Sequence, residues 1–190
     1  LTVCAACGMV QKPADAEFLS EADEIYRSYQ MYHQAGGHEQ KIFTAAGPRP
    51  RSDVLLDRLL AAHVFPKNCR MLDVGCGAGT LLKAAAKRLP DWQLFGSDIS
   101  DHEREKILAI EGVKGFFAGD ISTIHETFDV ICLSHVLEHI PYPQAFLRQL
   151  TARLSPGGVL VVLVPHWPDN AFDLLVADHR AHFTVPHLTR

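Results

Sequence analysis

The chain has 190 residues, 47% of them hydrophobic and 21% charged, with a formal net charge of −4. That composition supports a buried core and excludes global disorder. It offers no apolar run near the roughly 20 residues of a membrane span, and its charge gives no bulk attraction to nucleic acid or an anionic membrane. Five unevenly spaced cysteines argue against a disulfide framework. Leu1 to Val10 lacks a signal-peptide pattern, so a cytoplasmic protein is expected.

In chain order, the first feature is Cys4-Ala-Ala-Cys7-Gly8, the knuckle spacing of a zinc ribbon. A tetrahedral site needs two more ligands, and the sequence holds no second C-x-x-C pair. Cys4 and Cys7 are therefore candidate structural zinc ligands, with two ordinary small cysteines as the alternative. A polar helical stretch follows. Tyr26, Tyr29 and Tyr32 recur every three residues, as packing on one helical face requires. Gly47, Pro48 and Pro50 punctuate the end of this region, and a boundary is expected near Pro50. Residues 1–50 then form an N-terminal cap segment and residues 51–190 the main domain.

From Ser52 the pattern is regular. Ser52 or Asp53 can cap a helix through Val54, Leu55, Leu59 and Leu60, which Pro66 ends. Arg70 to Val74 reads as a strand, followed by a Gly-rich turn and a helix through Leu81, Leu82, Ala85 and Leu89. Trp92 to Ser97 reads as a second strand, Asp101 to Glu111 as a helix and Gly115 to Ala118 as a third strand. Phe128 to Leu133 is a fourth, nearly all-apolar strand. A helix through Phe146, Leu147, Leu150 and Leu154 leads to a turn at Ser155-Pro-Gly-Gly158 and a fifth strand, Val159 to Val164. Alternating helices and doubly apolar strands mean a doubly wound α/β fold, a parallel sheet with helices on both faces. Ligands of such sheets bind beyond the carboxyl ends of the strands, where the strand order reverses.

The unusual residues stand there. Asp73-Val-Gly-Cys-Gly-Ala-Gly-Thr80 follows the first strand and opens a helix. Gly75, Gly77 and Gly79 permit a sharp turn and close backbone approach, and the helix start presents free N–H groups to a phosphate or carboxylate. A dinucleotide fingerprint has its third glycine where this chain has Thr80, so the spacing points away from NAD. Asp98, ending the second strand about 20 residues on, is placed to accept hydrogen bonds from ribose hydroxyls. Gly119-Asp120 follows the third strand, where a carboxylate can read an adenine amino group or merely cap a turn.

These residues, with Phe128-Asp-Val-Ile-Cys-Leu-Ser-His-Val-Leu-Glu-His-Ile140 and Leu154-Ser-Pro-Gly-Gly-Val-Leu160, resemble the class I S-adenosylmethionine-dependent methyltransferases, in that family's order, from Leu72 to Pro165. The resemblance implies the cofactor S-adenosylmethionine, held by Asp73, Gly75, Cys76, Gly77 and Gly79 after the first strand. It adds Asp98 and Ile99 after the second, Gly119, Asp120 and Ile121 after the third, and Ser134 and His135 at the fourth. It also implies that Gly75, Cys76 and Gly77 lie beside the methionine part, Asp98 on the ribose and Asp120 near the adenine. The family completes its sheet with a helix and an antiparallel strand pair that this sequence lacks. With a start that is not methionine, that makes a portion of a longer protein the expectation.

Methyl transfer from a sulfonium is an in-line displacement, so the protein aligns the acceptor, excludes water and removes the acceptor's proton. Neutral histidine suits that task. His135, His139 and His166 are the candidate catalytic residues, with His166 favoured because V-L-E-H is common in the family whatever the substrate. His179, His182 and Phe183, in an H-F-T segment similar to those of related methyltransferases, read as wall or lid of a substrate pocket. No carboxylate constellation in the sequence makes a metal site of the two histidines, and a surface cluster is expected. Tyr26, Tyr29, Met31 and Tyr32 read as packing, ahead of a cap over the active-site mouth in which His33 and Gln34 contact cofactor or substrate. The acceptor expected is a small molecule, a sugar or secondary metabolite being favoured by the cysteine pair, which some sugar C-methyltransferases carry. Methylation of a macromolecule and a non-catalytic cofactor-binding module are the alternatives.

Overall fold

The computed structural model describes residues 1–28 and 39–189. Tyr29, Met31, Tyr32, His33 and Gln34 lie outside the described residues. The elements are β1 (Thr2–Val3), β2 (Val10–Gln11), α1 (Ala16–Ser28), β3 (Lys41–Thr44), β4 (Gly47–Pro50), α2 (Arg51–Ala62), β5 (Arg70–Val74), α3 (Thr80–Arg88) and β6 (Gln93–Asp98). Then come α4 (Arg104–Leu108), β7 (Val113–Ala118), β8 (Phe128–Ser134), α5 (Pro143–Thr151), β9 (Leu154–Leu163), β10 (Ala181–His182) and α6 (Val185–Leu188). No helix among the described residues is long and apolar enough to cross a membrane.

The described residues group into two compact units, one of 1–28, 133–148 and 162–189 and one of 39–132 and 149–161. Pro50, the expected boundary, lies inside the second unit. There the β3–β4 hairpin leads directly into α2, and Arg49 and Arg88 both reach the Asp57 carboxylate at 2.6 Å. The expected cap on α2 is also replaced. The helix starts at Arg51 with no side-chain cap from its own N-cap residue. Instead the Glu39 carboxylate accepts the Ser52 backbone N–H at 2.6 Å and its hydroxyl at 2.8 Å.

Apart from the last two residues of β8 and of β9, which fall in the first unit, the second unit carries the five-stranded sheet, in the order β7-β6-β5-β8-β9. The strands are parallel and flanked by helices, so the fold is Rossmann-like α/β, as the alternating pattern requires. The order runs outward from β5 in both directions, which places the reversal at its carboxyl end. Register pairs Val74 with Ser97 and Asp98 with Ala118, so the strand ends align. Leu56, Met71, Leu72, Leu82, Leu94, Ile107 and Val130 are fully buried and hold the layers together. The expected turn at Ser155 to Gly158 is absorbed into β9, an edge strand whose residues are half-buried or exposed. The helix expected from Asp101 to Glu111 shortens to α4.

In the first unit β1, β2 and β10 form a small antiparallel sheet, pairing Val10 with both Val3 and His182. Short 3₁₀ turns occupy Leu137–His139 and Ala171–Leu175.

The turn between β5 and α3 depends on Gly79, at φ +72°, where an added Cβ would lie 2.5 Å from Ile107 Cδ1 and 2.9 Å from Ile110 Cδ1. The two side chains can shift, but a left-handed conformation costs a non-glycine residue about 1–2 kcal/mol. Gly79→Ala should therefore destabilise the protein by at least about that amount, read as a lower denaturation midpoint at unchanged m-value.

Candidate functional site

The site begins at the backbone between β5 and α3. Gly75, Gly77 and Gly79 all have positive φ, of 67°, 46° and 72°. The Cys76 N–H donates to the Ser97 carbonyl and the Gly79 N–H to the Cys76 carbonyl, so the turn is pinned to the end of β6. Gly79 is the N-cap of α3 and supplies no side-chain acceptor, leaving that cap's usual hydrogen bond unmade. The Gly77 N–H donates to Asp98 Oδ2 at 2.9 Å, which holds the Asp98 carboxylate against the glycine turn. Ile99 next to it is exposed.

Gly119 adopts φ +91° at the end of β7, and open space surrounds it. Asp120 Oδ1 accepts the Ser122 N–H at 2.7 Å, capping the 3₁₀ turn that contains Ile121. That bond holds the Asp120 carboxyl below its ordinary range. The capping alternative is thus present, with the Ser122 side chain also hydrogen-bonding the carboxylate.

Three features suit a nucleoside carrying both an acid and an amine. The uncapped helix start suits a carboxylate, and Asp98 suits vicinal hydroxyls. Half-buried Asp98 gives the turn negative charge, which suits an ammonium or sulfonium, and the buried Asp73 carboxyl adds a hydrogen-bonding group beside it. Asp73 is 3% exposed, and its carboxyl is pushed up to about 8 by burial and by the charge of Asp98. Ser97 Oγ is buried with no hydrogen-bond partner. Neither feature was legible beforehand: the Ser97 hydroxyl carries no sequence signal, and the depth of Asp73 follows from its central strand.

In the first unit, Ser134 ends β8, and His135 follows with φ +58°, its N–H donating to the Leu163 carbonyl at 2.8 Å. Its Nδ1 lies 3.2 Å from Glu138 Oε1, out of hydrogen-bond alignment. His139 Nδ1 lies 3.0 Å from Asp178 Oδ2 in a short contact that is likewise poorly aligned. Burial works against the charged His139, but the contact with Asp178 and the charge of Glu138 outweigh it, and the His139 pKa is raised. His166, three residues beyond β9, is exposed, with Nδ1 2.9 Å from Asp169 Oδ2.

His179 and His182 are not a surface cluster. They are 9% and 0% exposed, and Phe183 is 6% exposed. Both imidazoles are held by one buried carboxylate, with Asp173 Oδ1 2.6 Å from His179 Nδ1 and Oδ2 2.7 Å from His182 Nδ1. Sequence reading missed Asp173 because it lies six and nine residues upstream, in a 3₁₀ turn whose path no periodicity announces. Burial, and then the charge of His139, lower the His179 pKa.

Cys4 and Cys7 sit in the tight turn between β1 and β2, with the Gly8 N–H donating to the Cys4 carbonyl at 2.8 Å. Backbone N–H groups of Ala6 and Cys7 draw the Cys4 thiol below its ordinary value. The His/Cys/Asp/Glu groups that could hold a metal among the described residues do not include either cysteine.

Residues 48–189 match the family model described as "Methyltransferase domain". The ubiquinone biosynthesis O-methyltransferase of Cereibacter sphaeroides is 32% identical over 113 residues, 55% of this chain and 44% of that protein. The trans-aconitate 2-methyltransferase of Deinococcus radiodurans is 33% identical over 107 residues, 54% of this chain and 40% of that protein. The match thus spans less than half the length of these two relatives. Among solved structures, an amino pentose methyltransferase of Micromonospora echinaspora involved in calicheamicin biosynthesis, with S-adenosylmethionine bound, is 28% identical. It aligns over 80% of this chain and 58% of its own at a TM-score of 0.50. A putative methyltransferase of Bacillus halodurans is 25% identical over 70% of this chain and 64% of its own, at 0.56.

The raised Asp73 pKa carries a sign. The unfolded carboxyl ionises near pH 4 and the folded one near 8, so the stability it contributes is full below about 4 and is lost as pH rises to about 8. Asp73→Asn cannot ionise. Its melting temperature should gain on the parent's steadily between about pH 5 and 8 and then level off. A gap that stays constant across that range would show an ordinary carboxyl.

Proposed function

The chain belongs to the class I S-adenosylmethionine-dependent methyltransferases, and from that premise we propose that it transfers a methyl group from S-adenosylmethionine to a small molecule. The observation that carries the reading is the left-handed glycine turn at an uncapped helix start, with Asp98 held against it. When bound, the cofactor supplies an electrophilic methyl on a sulfonium. The chain's own part is to bind, orient and deprotonate.

In this reading Asp73, Gly75, Cys76, Gly77 and Gly79 surround the methionine part, and Asp73 faces its ammonium. Asp98 and Ile99 hold the ribose. Gly119, Asp120 and Ile121 flank the adenine, with Asp120 near its amino group. Ser134 and His135 line the remaining side. His166 is the general base. Its contact with Asp169 fixes the proton on Nδ1 and leaves the Nε2 lone pair for the acceptor's proton. His135 and His139 are the other two histidines for which the same role is proposed.

Small-molecule chemistry is supported by the names of the relatives, which act in ubiquinone biosynthesis, on trans-aconitate and on an amino pentose. We favour a sugar or other secondary metabolite as acceptor, and no nucleic acid. The Cys4–Cys7 turn, with backbone N–H groups directed at the Cys4 sulfur, supports its reading as two ligands of a structural zinc site. Free thiols at Cys69, Cys76 and Cys132 fit a cytoplasmic setting.

Calorimetry should show S-adenosylmethionine and its demethylated product binding while NAD does not, and Asp98→Ala should weaken binding by about 1–3 kcal/mol, the worth of charged hydrogen bonds. Equal binding of NAD would sink the cofactor assignment. In turnover assays across sugars, small metabolites and macromolecules, His166→Ala should lower kcat by about 10²–10⁴ with cofactor affinity intact. Unchanged turnover in that variant moves the base to His135 or His139.

A further inference from the structure

Glu138 is 1% exposed, and neither of its carboxylate oxygens has a hydrogen-bond partner. An ionised carboxylate taken out of water costs several kcal/mol unless a cation or donors compensate it. Beside it lie His139 and His179, and the three residues each offer one ligand atom within 4.8 Å of the other two. Bonds of about 2.0–2.2 Å bring tetrahedral ligands to about 3.4 Å from one another, so closure by at most about 1.4 Å completes a coordination triad.

Each imidazole has a carboxylate beside its Nδ1. His139 Nδ1 faces Asp178 at 3.0 Å and His179 Nδ1 faces Asp173 at 2.6 Å. For His179 the hydrogen bond to Asp173 holds the proton on Nδ1 and leaves Nε2 a lone pair, the outer-shell arrangement that accompanies metal-bound histidine, while Asp178 lies beside His139 Nδ1 without alignment. Asp173 also holds His182, whose Nε2 is fully buried without a partner. A second trio, Asp173, His179 and His182, is equally compact. Its carboxylate is committed to both Nδ1 atoms, so it belongs to the outer shell.

Glu138, Asp173 and Asp178 are all buried. The nearby Lys12 ammonium donates instead to the carbonyls of Val176 and Ala177. His135 approaches Glu138 without hydrogen-bond alignment.

We propose that Glu138, His139 and His179 form a divalent transition-metal site, a two-histidine, one-carboxylate set suited to Zn²⁺, with Asp178 and Asp173 as its outer shell. His139, part-exposed with 21% of its side chain open, leaves a face of the site accessible to a further ligand. The site stands independently of the methyl-transfer reading, because its evidence and its test concern metal binding alone. It assigns His139 a ligand's role rather than a base's.

The test uses the full chain carrying Cys4→Ser and Cys7→Ser, so that no thiolate turn competes. Stripped of metal and titrated with Zn²⁺ in a calorimeter, it should bind one equivalent. Glu138→Gln and, separately, His179→Gln should each weaken binding by more than about 100-fold. Asp173→Asn should weaken it by about 10–100-fold, the usual effect of an outer-shell change. Circular dichroism of each metal-free variant checks its fold. Co²⁺ added to the double-serine parent reads the site without any core variant and should give ligand-field absorption with no thiolate charge-transfer band. Failure of the parent to bind Zn²⁺ and Co²⁺ stoichiometrically overturns the site, as does affinity that survives both Glu138→Gln and His179→Gln.

Discussion

The glycine turn between Val74 and Thr80 is the constraint on which the carboxyl end of the sheet depends. Three left-handed residues take the chain out of β5 and straight into α3. A side chain at any of them would carry a backbone cost of about 1–2 kcal/mol. What the turn achieves is exposure of backbone polar groups at the point of strand reversal. The Gly77 N–H finds Asp98, and the start of α3 lacks an acceptor from its cap. Packing beneath the turn, from Leu81, Leu82 and Ile107, keeps that geometry fixed while its upper surface stays polar.

The same turn explains the state of Asp73. Its strand is central, with β6 on one side and β8 on the other, so the carboxyl is buried by the topology itself. Asp98, brought alongside by the parallel register, adds a like charge. Asp98 makes this strand end anionic, the buried Asp73 carboxyl stays protonated beside it up to about pH 8, and the uncapped helix start is electropositive from its backbone. A zwitterionic ligand with its own cationic centre satisfies both, which a dinucleotide's pyrophosphate does not.

Much of this was legible in the sequence because it is local. The glycine spacing, Asp98 at a strand end and the apolar runs each carry a short-range signal, and the positions of β5, β6, β7 and β8 held to within a residue or two. What escaped was long-range or contextual. Ser52 looked like a cap, but the acceptor for its helix start is Glu39, thirteen residues earlier on the far side of a hairpin. Ser155 to Gly158 looked like a turn, but pairing at the sheet edge draws it into β9. The burial of His179 and His182 was invisible for the same reason. A D-x₅-H-x₂-H spacing has no period, and only the fold of residues 171–182 wraps both rings around Asp173.

His135 joins these themes. A histidine at φ +58° stores about 1–2 kcal/mol of backbone strain that glycine or asparagine would largely avoid. Its N–H is fixed by the Leu163 carbonyl, so β8 and the end of β9 hold the residue in place. Strain of this kind persists where surrounding structure over-determines it, and it gathers where a side chain must point in one direction. The imidazole is directed to within 3.2 Å of Glu138, a carboxylate that nothing else hydrogen-bonds. Backbone strain and a buried carboxylate without an aligned hydrogen-bond donor thus meet within four residues of one strand end. Both cost stability, so the packing of the surrounding fold offsets them.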